Sequence, residues 1–271
     1  MRLRVATYNI HKGVSAIRSE PRVVALKQAI GLFNADLVFL QEVQGKHDRH
    51  AERYGADHHG HRHWPQTAQH EFLALDSRHV HAAYGMNAVY DHGHHGNALL
   101  SAFPLADSRN YDVSDHAFEQ RGILHCVLET PAGQVHCYVV HLGLFEGGRR
   151  RQTAALIEAV KSSAPGDEPV IIAGDFNDWR NTLSNELRNA LGVTEVFDQI
   201  GSNSVLDELG RTLRGRNSVP QARTFPAALP FFRLDRIYVR GFQVLDAEVL
   251  HGSLWARLSD HAPIVATLQR Q

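Results

Sequence analysis

Apolar residues along this chain come in short runs, each interrupted by polar residues or turn formers. The runs that read as strands are Arg4–Ile10, Asp36–Val43, Ala98–Ala102, Gly122–Glu129, Val135–His141, Pro169–Phe176, Arg233–Arg240, Phe242–Val249 and Ala262–Leu268. Helical spacing covers Glu20–Phe33, where Val23, Leu26, Ala29, Ile30 and Phe33 share one face behind Pro21. It returns over Arg149–Ser163 through Ala155, Leu156, Ala159 and Val160, and more weakly over Thr182–Leu191. Strands dominate with helices interspersed, so the class is α/β or α+β with mixed sheets. No linker or internal repeat divides the chain. Gln44–Gln69 and Gly201–Phe225 read as long irregular segments, which in compact domains often carry function.

Composition narrows the picture. Of 271 residues 43% are hydrophobic, which suits a globular protein and not a disordered one. Lys plus Arg total 28 against 29 Asp plus Glu, a formal charge of -1. That balance disfavours a strongly basic nucleic-acid binder and leaves a local basic patch open. No apolar run is long enough to span a bilayer, and Met1-Arg2-Leu3-Arg4-Val5 lacks the apolar core of a leader, so a soluble cytoplasmic protein is expected. Cys126 and Cys137 are too few for a disulfide framework. Symmetric pairing about the turn Thr130-Pro131-Ala132-Gly133 sets them opposite each other. They read as a reduced buried pair, with a redox switch as the alternative.

Several strands end in polar groups that an ordinary strand end does not need. In Gly174-Asp175-Phe176-Asn177, persisting strand geometry puts Asp175 and Asn177 on one side. A carboxylate there can hold a water and accept its proton, and an amide can donate to a developing negative oxygen. The same residues also read as a solvated turn with an N-cap. Glu42 ends a nearly continuous apolar strand, where a carboxylate suits a hard cation such as Mg²⁺. Alone, Glu42 and Asn9 each read equally as solvated strand ends. Asp260 and His261 are adjacent, so one can face a metal while the other faces a phosphate or a second carboxylate, for which Asp235 is the candidate. His141 ends another strand and offers a second imidazole.

Taken in order, Thr7-Tyr8-Asn9-Ile10, Gln41-Glu42, Gly96-Asn97-Ala98-Leu99-Leu100-Ser101, His141-Leu142, Gly174-Asp175-Phe176-Asn177, Leu234-Asp235-Arg236-Ile237 and Ser259-Asp260-His261-Ala262-Pro263 resemble the endonuclease/exonuclease/phosphatase superfamily. Within it the chain looks most like bacterial members that begin Thr-Tyr-Asn-Ile-His-Lys-Gly. The resemblance implies one domain over residues 1–271, a four-layer sandwich of two mixed β-sheets packed face to face with helices outside. It implies Glu42 as the main Mg²⁺ ligand (Mn²⁺ as substitute), helped by Asn9 and Asp260. Asp175 would orient or deprotonate the attacking water, Asn177 would contact the phosphate, and His261 paired with Asp235 would stabilise the phosphorane-like charge. His141 would contact the phosphate or assist the leaving group, in a metal-assisted in-line attack on a phosphoester. Asn97 and Arg121 are further candidates for the substrate, although Arg121 also reads as a solvated strand start. Two departures stand out. His11 occupies the place where many nucleases of the superfamily carry an acidic residue, and the active-site Tyr of the abasic-site enzymes has no located counterpart.

For the substrate, Arg149-Arg150-Arg151 opens a helix shortly after His141, a good anion site or a solvated first turn. Arg211, Arg214, Arg216 and Arg223 offer a basic rim for a polyanion or an ordinary soluble loop surface. The His-rich stretches (His47, His50, His58, His59, His61, His63 and His70; His92, His94 and His95) read as polar loops, the second near the substrate mouth, with a transition-metal site as the alternative. The leading expectation is a Mg²⁺-dependent phosphodiesterase acting on nucleic acid. The alternative is a lipid-headgroup or small-metabolite phosphoesterase, for which Ala227-Ala228-Leu229-Pro230-Phe231-Phe232 is a candidate exposed apolar loop, although it reads more readily as an ordinary edge or core segment. A non-catalytic scaffold would need lost catalytic groups, and every matched position keeps a competent residue. No obligate protein partner is evident.

Overall fold

Alternate residues of the central strands point into different cores, which explains why those strands are apolar almost throughout. The computed structural model describes residues 1–271 except 17–18, 56–61, 116–118 and 204–221. In chain order the strands are β1 (Arg2–Asn9), β2 (Leu37–His47), β3 (His81–Tyr90), β4 (Gly93–Ser101), β5 (Leu105–Asp112), β6 (Gly122–Thr130), β7 (Gly133–His141), β8 (Val170–Asp175), β9 (Thr194–Glu195), β10 (Asp235–Arg240), β11 (Phe242–Val249) and β12 (Ile264–Arg270). The helices are α1 (Val23–Leu32), α2 (Asp48–Tyr54), α3 (Gln69–Ala74), α4 (Glu146–Ser163), α5 (Ser184–Leu191), α6 (Val196–Asn203) and α7 (Ser253–Leu258).

One six-stranded sheet has the order β11-β12-β1-β2-β4-β3 and the other β5-β6-β7-β8-β10-β9. Each is mixed. The pairs β1–β2 and β7–β8 are parallel, and their neighbours are antiparallel. Each parallel pair is joined by a helical crossover, α1 in one sheet and α4 in the other. Between the sheets lies a core of Leu3, Val5, Leu37, Phe39, Leu99, Val139, Ile171, Ala173, Ile237 and their neighbours. Behind the first sheet, α1 buries Val23, Leu26 and Ile30 against Ala6, Tyr8, Val38 and Leu40. Behind the second, α4 buries Leu156 and Val160 against Tyr138, Val140 and Ile172. The result is the expected sandwich of two mixed sheets with helices outside.

Cys126 and Cys137 pair in register on β6 and β7, both free and buried. The strands β3 and β5 were not anticipated, because β5 is almost wholly exposed and reads as polar. Gln44–Gln69 is less irregular than expected, since β2 runs on to His47 and α2 follows it. Among the described residues no helix is long and apolar enough to cross a membrane.

Candidate active site

The inner rows of the central strands all turn polar at one edge of the sandwich. On β1 the row Leu3, Val5 continues as Thr7 and Asn9; on β2, Leu37 and Phe39 lead to Gln41. On β7, Val135, Cys137 and Val139 lead to His141; on β8, Ile171 and Ala173 lead to Asp175. The antiparallel β10 reaches the same edge from its start, with Asp235 ahead of Ile237 and Val239. A period of two residues therefore delivers each polar side chain into the gap between the sheets.

Asp175 sits at the centre, in register with His141 on β7 and Asp235 on β10. Its carboxylate accepts from the Asn177 backbone N–H at 2.9 Å and from Asn9 Nδ2 at 3.2 Å. His141 Nε2 and His261 Nε2 each stand 3.6 Å from Asp175 Oδ2. His261 shares its Nδ1 proton with Asp235 Oδ2 at 2.8 Å. Its loop is pinned to β1 by Ser259, whose hydroxyl donates to the Asn9 carbonyl at 2.7 Å and accepts from the His261 N–H at 3.2 Å. Gly174 permits this edge: at φ +150° its α-carbon faces the Val140 carbonyl, and an added Cβ would lie 1.9 Å from that oxygen.

These groups divide into acid and base by their surroundings. Burial opposes a charge on His261, but Asp235 and Asp175 overcome it and hold the imidazole cationic, with its pKa lifted to about 10. Burial pushes Asp175 above the ordinary carboxylate range, against the pull of the His261 cation. Burial drives His141 the other way, well below its usual value, helped by the nearby positive charges of Arg121 and His261. A neutral imidazole and a cationic one thus flank a single carboxylate.

A second group of oxygens faces the same cleft. A bulge between Leu40 and Val43 twists β2 so that Glu42 takes a left-handed φ of +56°. Its carboxylate accepts from Asn9 Nδ2 at 3.3 Å and stands 3.8 Å from Lys12 Nζ. Asp260 Oδ1 meets His11 Nδ1 at 3.1 Å. Burial resists charge on Asp260, but the hydrogen bond from His11 and the His261 cation hold it below the usual carboxylate range. The cleft is about 720 Å³, and Lys12, Glu42, His95, Arg121, His141, Asp175, Asn177, Asp260 and His261 line it, with Leu144, Trp179, Phe225 and Phe232 at its sides.

A family model described as Endonuclease/Exonuclease/phosphatase family matches residues 6–261. The Escherichia coli (strain K12) protein YbhP, itself uncharacterized, is 40% identical over 267 residues, covering 98% of this chain and 95% of YbhP. The chain belongs to the Endonuclease/Exonuclease/phosphatase family. Solved structures with the same fold include the human nocturnin catalytic domain (TM-score 0.70, 18% identity, covering 100% of this chain and 95% of that one). The Beutenbergia cavernae endonuclease/exonuclease/phosphatase has TM-score 0.69 and 20% identity, covering 99% and 72%. D. rerio TDP2 in complex with single strand DNA product has TM-score 0.64 and 18% identity, covering 99% of each chain. The family in general consists of metal-dependent hydrolases of phosphoester bonds.

The donor set fits such a cation. Glu42 and Asp260 are hard oxygen donors at one mouth, with Lys12 Nζ 3.8 Å from Glu42 and His11 Nδ1 3.1 Å from Asp260. Among the described residues, one group of His and carboxylate ligand atoms lies within 4.8 Å of one another, namely Asp175, Asp235 and His261. Both nitrogens of that His261 already face carboxylates, so this trio reads as a proton-sharing chain and not as the cation's seat.

Two sequence candidates lie away from the cleft wall. Asn97 is on the inner row of β4, fully buried, and its amide donates to the Gly122 and Val139 carbonyls, bridging the two sheets. Arg149 is buried beneath the cleft, donating to the Gly143 and Leu144 carbonyls with its guanidinium 4.8 Å from the Trp179 ring. Its neighbours are engaged too: Arg150 pairs with Glu146 at 3.2 Å and Arg151 with Asp115 at 2.5 Å. The open anion site expected at this helix start is therefore spent on tying down loops. Arg211, Arg214 and Arg216 lie outside the described residues, as do His58, His59 and His61. His47 and His50 stack at 3.8 Å beside Trp64 and His92, an aromatic cluster on the outer side of β2. His95 does line the mouth, as expected of its stretch. Lys12 and Trp179 were missed as cleft residues. Lys12 stood only inside a quoted motif, and no local pattern marks Trp179.

Proposed function

We propose that this chain is a phosphodiesterase that uses Mg²⁺, or Mn²⁺ in its place, to activate a bound phosphoester toward water. The observation that carries this reading is a base and an acid on one cleft floor: Asp175, raised by burial yet ionised at neutral pH, stands 3.6 Å from the His261 cation. Glu42 and Asp260, with Asn9 beside them, would hold the cation, which when bound would draw charge from a phosphoryl oxygen.

The chain's own groups account for the remainder. Asp175, oriented by the Asn177 N–H and the Asn9 amide, takes the proton of a water attacking phosphorus. The His261 imidazolium, held by Asp235, offsets the charge that grows on the phosphoryl oxygens. Asn177 spends one amide hydrogen on the Leu142 carbonyl at 2.8 Å, which fixes the side chain and leaves its second for the phosphate. Neutral His141 serves the leaving oxygen, and Arg121 and Lys12 supply cations for the phosphate's remaining oxygens. Water adds to phosphorus as its proton passes to Asp175, and the ester P–O bond breaks. The leaving alkoxide, hydrogen-bonded by neutral His141, takes a proton from solvent, so that a phosphomonoester and an alcohol result and Asp175 then returns its proton to solvent.

The test is turnover of bis-p-nitrophenyl phosphate, plasmid, abasic duplex, single-stranded RNA and sphingomyelin with Mg²⁺ or Mn²⁺, and with chelator. Diester cleavage that chelator stops, and that Asp175→Ala and His261→Ala abolish while keeping the fold, is the expected result. Wild-type rates in both variants would refute the assignment.

A further inference from the structure

We infer that the rim of this cleft docks on a lipid–water interface, so that the phosphodiester it receives is the headgroup of a phospholipid. This rests on the phosphodiesterase reading and names its substrate class. Among the described residues the exposed Phe and Trp side chains are four: Trp179 and Phe232 line this cleft at 45% and 46% exposure, and Phe145 and Phe231, at 67% and 59%, directly follow and precede the lining residues Leu144 and Phe232 in the chain. Leu144 and Leu229 extend the patch at 54% and 63%. A concentration of apolar surface around a polar floor marks an interaction site.

The patch is held out from the protein, not frayed. On one side, the Phe231 and Phe232 N–H groups both donate to the Phe225 carbonyl at 2.9 and 2.8 Å, and the Leu229 N–H donates to Pro226 O at 3.0 Å. The Ala227 N–H then ties this turn to the Asp260 carbonyl at 2.7 Å, so the turn is anchored to the catalytic loop. On the other side, buried Arg149 grips the Gly143 and Leu144 carbonyls and supports the Trp179 ring. Arg149 thus positions the rim instead of binding phosphate.

Charge selects the occupant. Among the described residues the Lys and Arg side chains of the cleft wall are Lys12 and Arg121, both inside it, a pair that suits one phosphodiester better than a tracked backbone. Leu144 and Leu229 offer no ring for a base to stack on, whereas aliphatic and aromatic side chains around a polar centre suit the boundary of acyl chains and headgroups.

The experiment is co-sedimentation with phosphatidylglycerol and phosphatidylcholine vesicles, using wild type and the triple variant Phe145→Ser, Leu229→Ser, Phe231→Ser, none of which lines the cleft. A labelled single-stranded oligonucleotide serves as the competing probe, and bis-p-nitrophenyl phosphate turnover reports the chemistry separately. Wild type is expected to sediment with vesicles, the variant's bound fraction to fall at least about tenfold, and bis-p-nitrophenyl phosphate turnover to stay within twofold or so of wild type. Wild type left in the supernatant, or a variant that sediments equally, overturns the inference. So does loss of oligonucleotide binding with no loss of vesicle binding, which would make the rim a base-stacking platform. If wild type binds vesicles yet cleaves no diester, the docking stands and the phosphodiesterase reading fails.

Discussion

Replacing Asp235 by Asn removes a charge from behind His261 while keeping a group of nearly the same shape. The His261 pKa is lifted from 6.5 to about 10 despite burial. That lift is worth roughly 5 kcal/mol in favour of the cation. Asp235 lies at 2.8 Å and Asp175 at 3.6 Å, so Asp235 supplies at least half of it, about 3 kcal/mol. Without that charge the imidazole loses its proton about two pH units earlier. The sign follows from the role. His261 works as a cation, so activity is present below its pKa and falls as pH rises through it. The assay is kcat for bis-p-nitrophenyl phosphate with Mg²⁺ across neutral and alkaline pH. Wild type should hold its rate until near pH 10, whereas Asp235→Asn should decline at lower pH and lose about 100-fold in the alkaline range. An alkaline limb in the same place in both proteins would show that His261 does not act as the charged partner.

The acid limb of the wild-type profile should lie above the ordinary carboxylate range, because burial raises Asp175 and the base must be ionised; a limb near the pKa of a free Asp would contradict this. Acid should also unfold the protein through His125, whose buried ring is held neutral with a pKa of about 4, chiefly by burial and then by His136. The unfolded chain takes up this proton near pH 6.5, so stability is full above that value and is lost as pH falls toward 4, by about 3 kcal/mol. Urea midpoints measured across this window should fall in wild type and fall less steeply in His125→Phe, the other buried imidazoles, His141 and His95 among them, still contributing; an equally steep fall in the variant would contradict this. Gly174→Ala should cost at least about 3 kcal/mol, since its Cβ would lie 1.9 Å from the Val140 carbonyl; an unchanged Tm would refute the close approach. Cys126 and Cys137 are buried with their thiols pushed up by burial, so neither should react with a thiol reagent or mild peroxide in the native protein.

The central strands were legible because burial on both faces makes them continuous apolar runs, and their polar ends could be read as strand ends reaching one edge. Asp175, Asn177 and His261 stood out for that reason. The edge strands β3 and β5 were not legible, since β5 is almost wholly exposed and β3 fully buries only Ala83 and Gly85, which dilutes the pattern. For Arg149, position at a helix start suggests an anion, while only tertiary packing reveals the carbonyls and the Trp179 ring that its guanidinium meets. Asn97 is similar: its motif resembles a substrate contact, and its amide bridges two sheets whose separation no local pattern encodes. Of the apolar rim only the stretch from Ala227 to Phe232 was singled out, and it read more readily as an edge or core segment; Leu144, Phe145 and Trp179 join it through space and not along the chain.

The measurement that bears most directly on the whole account is an anomalous difference map from crystals soaked in Mn²⁺. The account predicts a peak at the oxygens of Glu42 and Asp260, with Lys12 and His11 drawn off them, while His261 keeps its bond to Asp235. A peak seated instead among Asp175, Asp235 and His261, or none in this cleft, would contradict it.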